Sequence, residues 1–253
     1  MMKPEYDNAV LRQLAKRKSV RAFEDRPIAP ANRAAILEAA CQAPTAGNQQ
    51  LYTIIDVTDP EKKAMLADSC DHQPFIATAP MLLVFCADCL KWRDAYLAAG
   101  CDPRESGAGD LLLAVIDAAI AAQNAVTAAW SLGIGSCYIG DILENREAQK
   151  HILGLPDQVV PAVLLVFGHP TEQQRGRRKP DRAAMEYIVH ENAYHRLDPA
   201  ELEAMLSPRA GAMGFAAWVK AFCERKFNSD FSREMTRSVR AYLEEFEYTG
   251  IDN

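Results

Sequence analysis

A chain of mixed helix and strand is predicted for this sequence, folded as one large soluble globular core with a helical tail. Three observations carry that expectation. Segments with helical apolar spacing alternate with short, continuous apolar runs along the chain. A stretch over residues 110–132 is alanine-rich and apolar nearly all round, as a helix buried on several sides must be. The 253 residues are 49% hydrophobic and 25% charged, an ordinary globular balance with enough chain to bury a core without disulfides or metals.

The elements follow in order. Tyr6, Val10, Leu11 and Leu14 share one face of a first helix, with Lys16, Arg17 and Lys18 in its last turn. A second helix begins at the Pro27-Ile28-Ala29-Pro30 signal, turns Ile36, Leu37 and Ala40 inward, and stops at Pro44. Thr53-Ile54-Ile55-Asp56-Val57 reads as a strand, and a short helix follows Asp59-Pro60. Residues 80–86 make a buried strand, and residues 91–109 read as irregular, with Trp92 and Tyr96 as plausible pocket aromatics. The alanine-rich helix, interrupted by Asp117, Gln123 and Asn124, ends at Gly133 and Gly135, which open a turn into Cys137-Tyr138-Ile139-Gly140. Residues 145–153 form a helix stopped by Gly154, and residues 159–168 the strongest strand. A basic loop over residues 171–182 follows. In the tail, Phe215, Trp218 and Phe222 share one face, and Phe231, Met235, Val239, Tyr242 and Phe246 form a second apolar stripe. The expected division is a core of residues 1–195 and a helical extension of residues 196–253.

Charge and cysteine usage exclude several classes. A net charge of −6 argues against nucleic acid as a partner. The longest unbroken apolar runs, such as residues 79–87, fall far short of the ~20 residues of a membrane span. The first residues lack a signal-peptide core, so a cytoplasmic protein with seven reduced cysteines is expected. Cys86 and Cys89 have redox or zinc spacing, and a thiol or zinc protein is one reading. The missing second pair and the apolar run that they close favour a strand end, so no metal is expected.

Standard catalytic motifs fail in detail. No Walker loop or Gly-x-Ser-x-Gly elbow occurs. Gly133-Ile134-Gly135 starts like a dinucleotide fingerprint but has Tyr138 at the third glycine and follows a helix. His190 and His195 are five apart and would not share a helical face. What stands out is a dispersed set. Arg17-Lys18-Ser19-Val20-Arg21 has an Arg-x-Ser-x-Arg alternation that, if extended, points donors the same way as an anion clamp. The alternative is a solvated basic turn. Arg175, Arg177, Arg178, Lys179 and Arg182 offer a second jaw, and two such clusters suit one phosphate monoester. The Pro44-Thr45-Ala46-Gly47-Asn48-Gln49 loop carries amide and hydroxyl groups fit for a pyrimidine-like edge.

Together these segments resemble the nitroreductase-like family of FMN-dependent NAD(P)H oxidoreductases. The resemblance rests on Arg17-Lys18-Ser19-Val20-Arg21-Ala22-Phe23, Ala43-Pro44-Thr45-Ala46-Gly47-Asn48-Gln49, Leu132-Gly133-Ile134-Gly135-Ser136-Cys137-Tyr138-Ile139-Gly140, Leu153-Gly154-Leu155-Pro156 and Val166-Phe167-Gly168-His169-Pro170. Their order and spacing match over about residues 10–195.

The resemblance implies an α+β, three-layer fold: a central, mainly antiparallel sheet flanked by helices, in an intertwined homodimer with FMN at the interface. Residues 110–132 then look like its central dimer helix. Arg17 and Lys18 match the first flavin motif, with Arg17 on the phosphate, Ser19 on the ribityl chain and Arg21 near the pyrimidine end as electrostatic stabiliser. Pro44, Thr45, Ala46 and Asn48 match the loop reaching the flavin from the other subunit. Tyr138, Ile139 and Gly140 match the turn beside the reactive N5 edge. Pro74 stands where some members have Lys, leaving Gln73 as a neutral contact. The final basic position falls on Arg182 by distance to Val189-His190 or on Arg178 by the local Arg-Lys-Pro pattern.

The implied activity is ping-pong hydride transfer from NADH or NADPH, through the flavin, to a small-molecule acceptor: a nitroaromatic, quinone, enone or flavin. No catalytic side chain beyond the flavin is required. The alternative is a flavin-binding storage or sensor protein without efficient turnover.

Overall fold

The computed structural model describes residues 8–247, so Tyr6, expected on the first helix, lies outside the described residues. The strands β1 (Tyr52–Asp56), β2 (Met81–Asp88), β3 (Gly135–Ile139) and β4 (Val159–Gly168) form one sheet of order β1-β2-β4-β3, antiparallel at every pairing. Around it lie α1 (Ala9–Lys16), α2 (Pro30–Cys41), α3 (Pro60–Ser69), α4 (Pro74–Ala77), α5 (Lys91–Ala98), α6 (Ala108–Ser131), α7 (Arg146–Leu153) and α8 (Glu172–Gly176). Further along are α9 (Pro199–Ala210), α10 (Phe215–Phe222) and α11 (Asp230–Leu243).

The sheet is the middle of three layers because its central strands are apolar on both faces. Leu82, Val84 and Cys86 of β2 join Leu164 and Val166 of β4 in a cluster with Leu66 of α3, Cys70 just after it, and Ile152 and Leu153 of α7. Met81, Leu83, Phe85, Leu165 and Phe167 point the other way, onto Ile36, Ala40 and the alanines of α2 and α6. The period-two alternation of side chains therefore distributes one continuous apolar run between two cores. This is the α+β fold expected from the resemblance.

The alanine content of α6 has a direct use: Ala118, Ala121, Ala122, Ala125 and Ala129 are buried, which lets the helix approach the sheet closely. Among the described residues α6 is long and apolar enough to cross a membrane, although no unbroken apolar run suggested it. It packs against β2, β4 and α2, while Leu112, Leu113 and Ile116 stay exposed. Gly154 ends α7 at φ 66°, a left-handed position that the absence of Cβ permits.

Three local expectations are corrected: the basic loop at 171–182 contains α8, residues 135–139 form β3 ahead of the turn at Gly140, and the third concerns residues 91–109. The segment after β2 is not irregular throughout: Lys91–Ala98 form α5, and Asp88 Oδ1 accepts from the amides of Leu90 and Lys91 at its start, at 3.1 Å each.

The chain divides into two compact units. One runs to Arg177 and resumes at Glu234, and the other holds Arg178–Arg233. This division by contacts falls elsewhere than the 195/196 boundary read from the sequence, because Tyr242 and Phe246 are buried with Leu111, Ala114 and Val160 of the first unit. Glu245 fastens that return, accepting from Lys150 Nζ and from the Gln158 amide at 2.7 Å each. The second unit is helical and contains α9, α10 and a stacked Trp218–Phe222 pair with centroids 5.1 Å apart.

Candidate active site

Residues after α1 run extended along the sheet. Arg17 caps the helix at φ −54°, ψ 132°, and Ser19 then bridges to Ser136 of β3, with the Val20 amide on the Ser136 carbonyl at 2.9 Å. Phe23 bridges to Pro170, and the Glu24 amide reaches the His169 carbonyl at 2.8 Å. Two glycines make room. A Cβ on Gly135 would stand 2.6 Å from Val20 Cγ2, and one on Gly168 would stand 2.6 Å from Phe23 Cδ1.

Extension sorts the side chains by parity. Val20 is fully buried and Lys18 points to the far strap, donating to the Arg175 carbonyl at 2.7 Å and to the Arg177 carbonyl. Arg177 returns the contact, its Nη2 donating to the Ser19 carbonyl at 2.7 Å. Arg17, Ser19 and Arg21 fall on the other parity and all three act on the buried Cys137 thiol. Burial raises that thiol, while the charges of Arg21 and Arg17 pull it back. The Arg17 guanidinium lies over the Tyr138 ring, 5.8 Å from its centroid. Two guanidinium groups and a hydroxyl on one edge are the donor set that a phosphomonoester requires.

The turn after β3 is the second part. Ile139 is buried and ends the strand, Gly140 is exposed, and Asp141 follows at once. Tyr138 donates its hydroxyl to Gln123 Oε1 at 3.2 Å. Gln73, at the start of α4, uses its Nε2 twice, toward the Cys70 carbonyl at 2.8 Å and Asp141 Oδ2 at 2.9 Å. Residues 17–21, Gln73 and residues 138–140 are thereby linked through β3 and its turn.

The loop at 44–50 is held by α6. Asp117, only 2% exposed, accepts from the Ala46 amide at 3.0 Å with one oxygen and from the Leu51 amide at 3.2 Å with the other. Thr45 Oγ1 accepts from the Gln50 amide at 3.0 Å, and Trp92 donates to the Gln49 carbonyl at 2.7 Å. Pro44 precedes this loop, and Asn48 and Gln50 take positive φ of 59° and 52°, a costly backbone that the surrounding bonds enforce. Trp92 and Tyr96 thus meet Gln49 of this loop, Tyr96 accepting from its side-chain amide at 3.4 Å.

Arg178 and Arg182 lie in the second unit, where Arg178 pairs with Asp181. In the same unit the His195 amide donates to His190 Nδ1 at 3.0 Å, and His195 Nε2 meets Glu201 at 3.0 Å. Cys86 lies on β2 and Cys89 just beyond it, both buried, with their thiols pushed up to about 12 by desolvation. Such thiols are poor nucleophiles and poor ligands. Among the described residues no three His, Cys, Asp or Glu side chains gather as a metal set.

The model of the Nitroreductase family matches residues 14–169. The chain belongs to the nitroreductase family. It is 31% identical over 246 residues to the FMN reductase [NAD(P)H] of Bacillus subtilis, covering 96% of this chain and 94% of that protein. It is 38% identical over 181 residues to the oxygen-insensitive NADPH nitroreductase of Salmonella typhimurium, covering 72% of each. Among solved structures, the NADPH:FMN oxidoreductase of Vibrio harveyi complexed with NAD+ superposes with a TM-score of 0.78 at 26% identity, covering 93% of this chain and 98% of that one.

Within this nitroreductase-family chain, sequence reasoning missed three groups. Asp117 was visible only as an interruption of an apolar helix, although a buried carboxylate needs donors, and the nearest loop supplied them. The bonds exchanged by Lys18 and Arg177 had no signal, since both residues read as phosphate ligands. Asp141 and Glu144 carried no local pattern at all.

Proposed function

We propose that this chain is an FMN-dependent NAD(P)H oxidoreductase that reduces small organic acceptors such as nitroaromatics, quinones, enones or free flavin, as a cytoplasmic homodimer. The observation that carries the reading is the placement of Arg17, Ser19 and Arg21 on one edge of an extended strand, next to Tyr138. That donor set fits FMN: charge-assisted donors suit the phosphate, and the amide of Gln73 and the exposed backbone at Gly140 suit a polar ring edge. Bound FMN supplies the redox chemistry, accepting hydride from NADH or NADPH and passing it to the acceptor.

The chain's part is binding and electrostatics. Arg17 neutralises phosphate charge, and Ser19 serves the ribityl hydroxyls. Arg21 places a fixed cation where negative charge accumulates on reduction. Tyr138, Ile139 and Gly140 present the backbone beside the reactive edge. Lys18 ties the extended segment to residues 175–177 and so holds its neighbours in place.

A second copy of the chain completes the site in this reading. Leu112, Leu113 and Ile116 of α6 are 49–62% exposed, and α1 beside it exposes Val10, Leu11 and Leu14. Exposed apolar side chains on two touching helices suit a self-complementary interface. The partner copy would bring Pro44, Thr45, Ala46 and Asn48 to the ring. Seven free thiols suit a reducing compartment.

The storage or sensor alternative is not favoured, since the relatives bear the names of reductases. Steady-state kinetics with NADPH and a nitroaromatic test the reading. Parallel double-reciprocal lines are expected for a ping-pong enzyme, and an absence of turnover with every acceptor class would overturn it.

A further inference from the structure

Two helices divide the backbone of the 44–50 loop between them. Asp117 of α6 accepts from the amides of Ala46 and Leu51 at its two ends. Three carbonyls on its outgoing limb turn instead to the start of α5. Trp92 Nε1 donates to the Gln49 carbonyl at 2.7 Å, and Lys91 Nζ donates to the carbonyls of Gln50 at 3.5 Å and Tyr52 at 2.8 Å. The helix itself starts from a buried anchor. Asp88 of β2, 8% exposed, accepts from the amides of Leu90 and Lys91 and, with its other oxygen, from Thr53 Oγ1 at 2.6 Å.

The loop needs such holding. Gly47, Asn48 and Gln50 stand at φ 55°, 59° and 52°, left-handed positions of which only Gly47 lacks the Cβ that makes them costly. Most of its polar side chains serve its own shape. Thr45 Oγ1 accepts from the Gln50 amide, Gln50 Nε2 donates to the Cys41 carbonyl at 3.3 Å, and Gln49 Nε2 donates to the Tyr96 hydroxyl at 3.4 Å. The carboxamide of Asn48 is exposed and meets no partner among the described residues. The bonded groups therefore shape a loop whose tip presents Asn48.

We propose that α5 is a brace for the cofactor site of the second copy, with Trp92 and Lys91 as positioning residues that act by holding the backbone around Asn48. The proposal rests on the FMN homodimer reading, in which this loop reaches the ring bound by the other copy. Trp92 serves through its indole N–H and not as a ring facing the acceptor. Loss of that donor frees the Gln49 carbonyl, the left-handed positions relax, and a smaller fraction of loops presents the Asn48 carboxamide. Apparent FMN affinity falls with that fraction, by roughly three- to tenfold for one hydrogen bond.

The experiment has two arms. In the first, FMN affinity is measured by fluorescence titration for the wild type, Trp92→Phe, Asn48→Gly and the double variant. Trp92→Phe keeps an aromatic ring without the N–H, and Asn48→Gly keeps the left-handed backbone without the carboxamide. Trp92→Phe alone should weaken binding roughly three- to tenfold. The same change made on Asn48→Gly should weaken it less than about twofold, because no carboxamide is left to present. In the second arm, an Arg17→Ala copy and a Trp92→Phe copy are joined in a mixed dimer isolated through two affinity tags. One site then combines Arg17 with a braced loop from the other copy and should bind FMN with wild-type affinity, while the second site carries both losses. Should Trp92→Phe fail to fold, Lys91→Met takes its place in both arms. Equal losses with and without the Asn48 carboxamide overturn the proposal, as does a mixed dimer in which no site reaches wild-type affinity. Unchanged affinity in Trp92→Phe overturns it while leaving the FMN reading intact. A wild type that takes up no FMN refutes that reading itself, and the proposal with it.

Discussion

The guanidinium of Arg17 stands over the ring of Tyr138, 5.8 Å from its centroid, so the segment that opens the candidate site is seated on the strand that closes it. The contact fixes where the positive charge is presented. Arg17→Ala is expected to weaken FMN binding about ten- to a hundredfold, the worth of one charge-assisted contact. Arg17→Lys keeps the charge but loses the planar stacking and should fall between. Fluorescence titration of FMN checks both, and unchanged affinity in Arg17→Ala would remove the residue from the clamp.

Lys18 is expected to behave differently from its neighbours. Its ammonium is satisfied by the carbonyls of Arg175 and Arg177, so Lys18→Met should cost roughly 1–2 kcal/mol of unfolding free energy. The salt dependence of FMN binding should change little, since no phosphate contact is lost. Urea denaturation and a salt series on FMN affinity separate the two roles. A Lys18→Met protein of wild-type stability with a weaker salt dependence would show a phosphate ligand instead.

Much of this was legible beforehand because periodicity and punctuation are local. Pro30 opens α2, Gly154 closes α7, and β4 was read to the residue, since each signal lies within a few positions of its effect. The helix α5 was missed because the carboxylate that accepts from its first amides belongs to Asp88, which the structure places in β2 beyond the 80–86 strand expected. The site divides the same way. Parity alone groups Arg17, Ser19 and Arg21, whereas the partners of Lys18 and Asp117 are 157 and 71 residues distant in the chain. Nothing local encodes such a meeting.

Asp117 clasps both ends of the Asn48 loop, and its loss leaves two backbone donors without an acceptor. Asp117→Ala should cost about 2–4 kcal/mol of stability. Asp117→Asn should recover part of that, because one amide oxygen still accepts while the amino group faces an N–H. Denaturant midpoints and proteolysis within residues 44–50 report on it. Equal behaviour of the two variants would contradict the two-oxygen clasp.

Gly135 and Gly168 are where the extended segment meets the sheet. Gly135→Ala puts a methyl group against the β-branched Val20, which has no flexible end to yield, and should destabilise by about 1–3 kcal/mol. Thermal unfolding measures it, and a neutral Gly135→Ala would mean that the segment lifts off β3 without penalty.

Glu144 gives stability a pH dependence of known sign. Its carboxyl is raised from 4.5 to about 7 in the folded chain by desolvation first and by Asp141 second. Between those values the unfolded chain has released a proton that the folded chain retains, so rising pH favours unfolding. The contribution is fully present below the lower value and lost as pH rises through the upper one. Glu144→Gln should therefore flatten the fall in unfolding temperature between about pH 5 and about pH 8. Equal slopes for the two proteins would contradict it.

The central claim is that this nitroreductase-family chain binds FMN and lets a nicotinamide reduce it. Anaerobic absorbance spectroscopy of the FMN-loaded protein, mixed with NADPH and separately with NADH, tests it most directly. The account predicts stoichiometric FMN uptake and rapid bleaching of the flavin bands with at least one nicotinamide. A protein that takes up no FMN, or whose bound FMN keeps its oxidised spectrum with both, would contradict it.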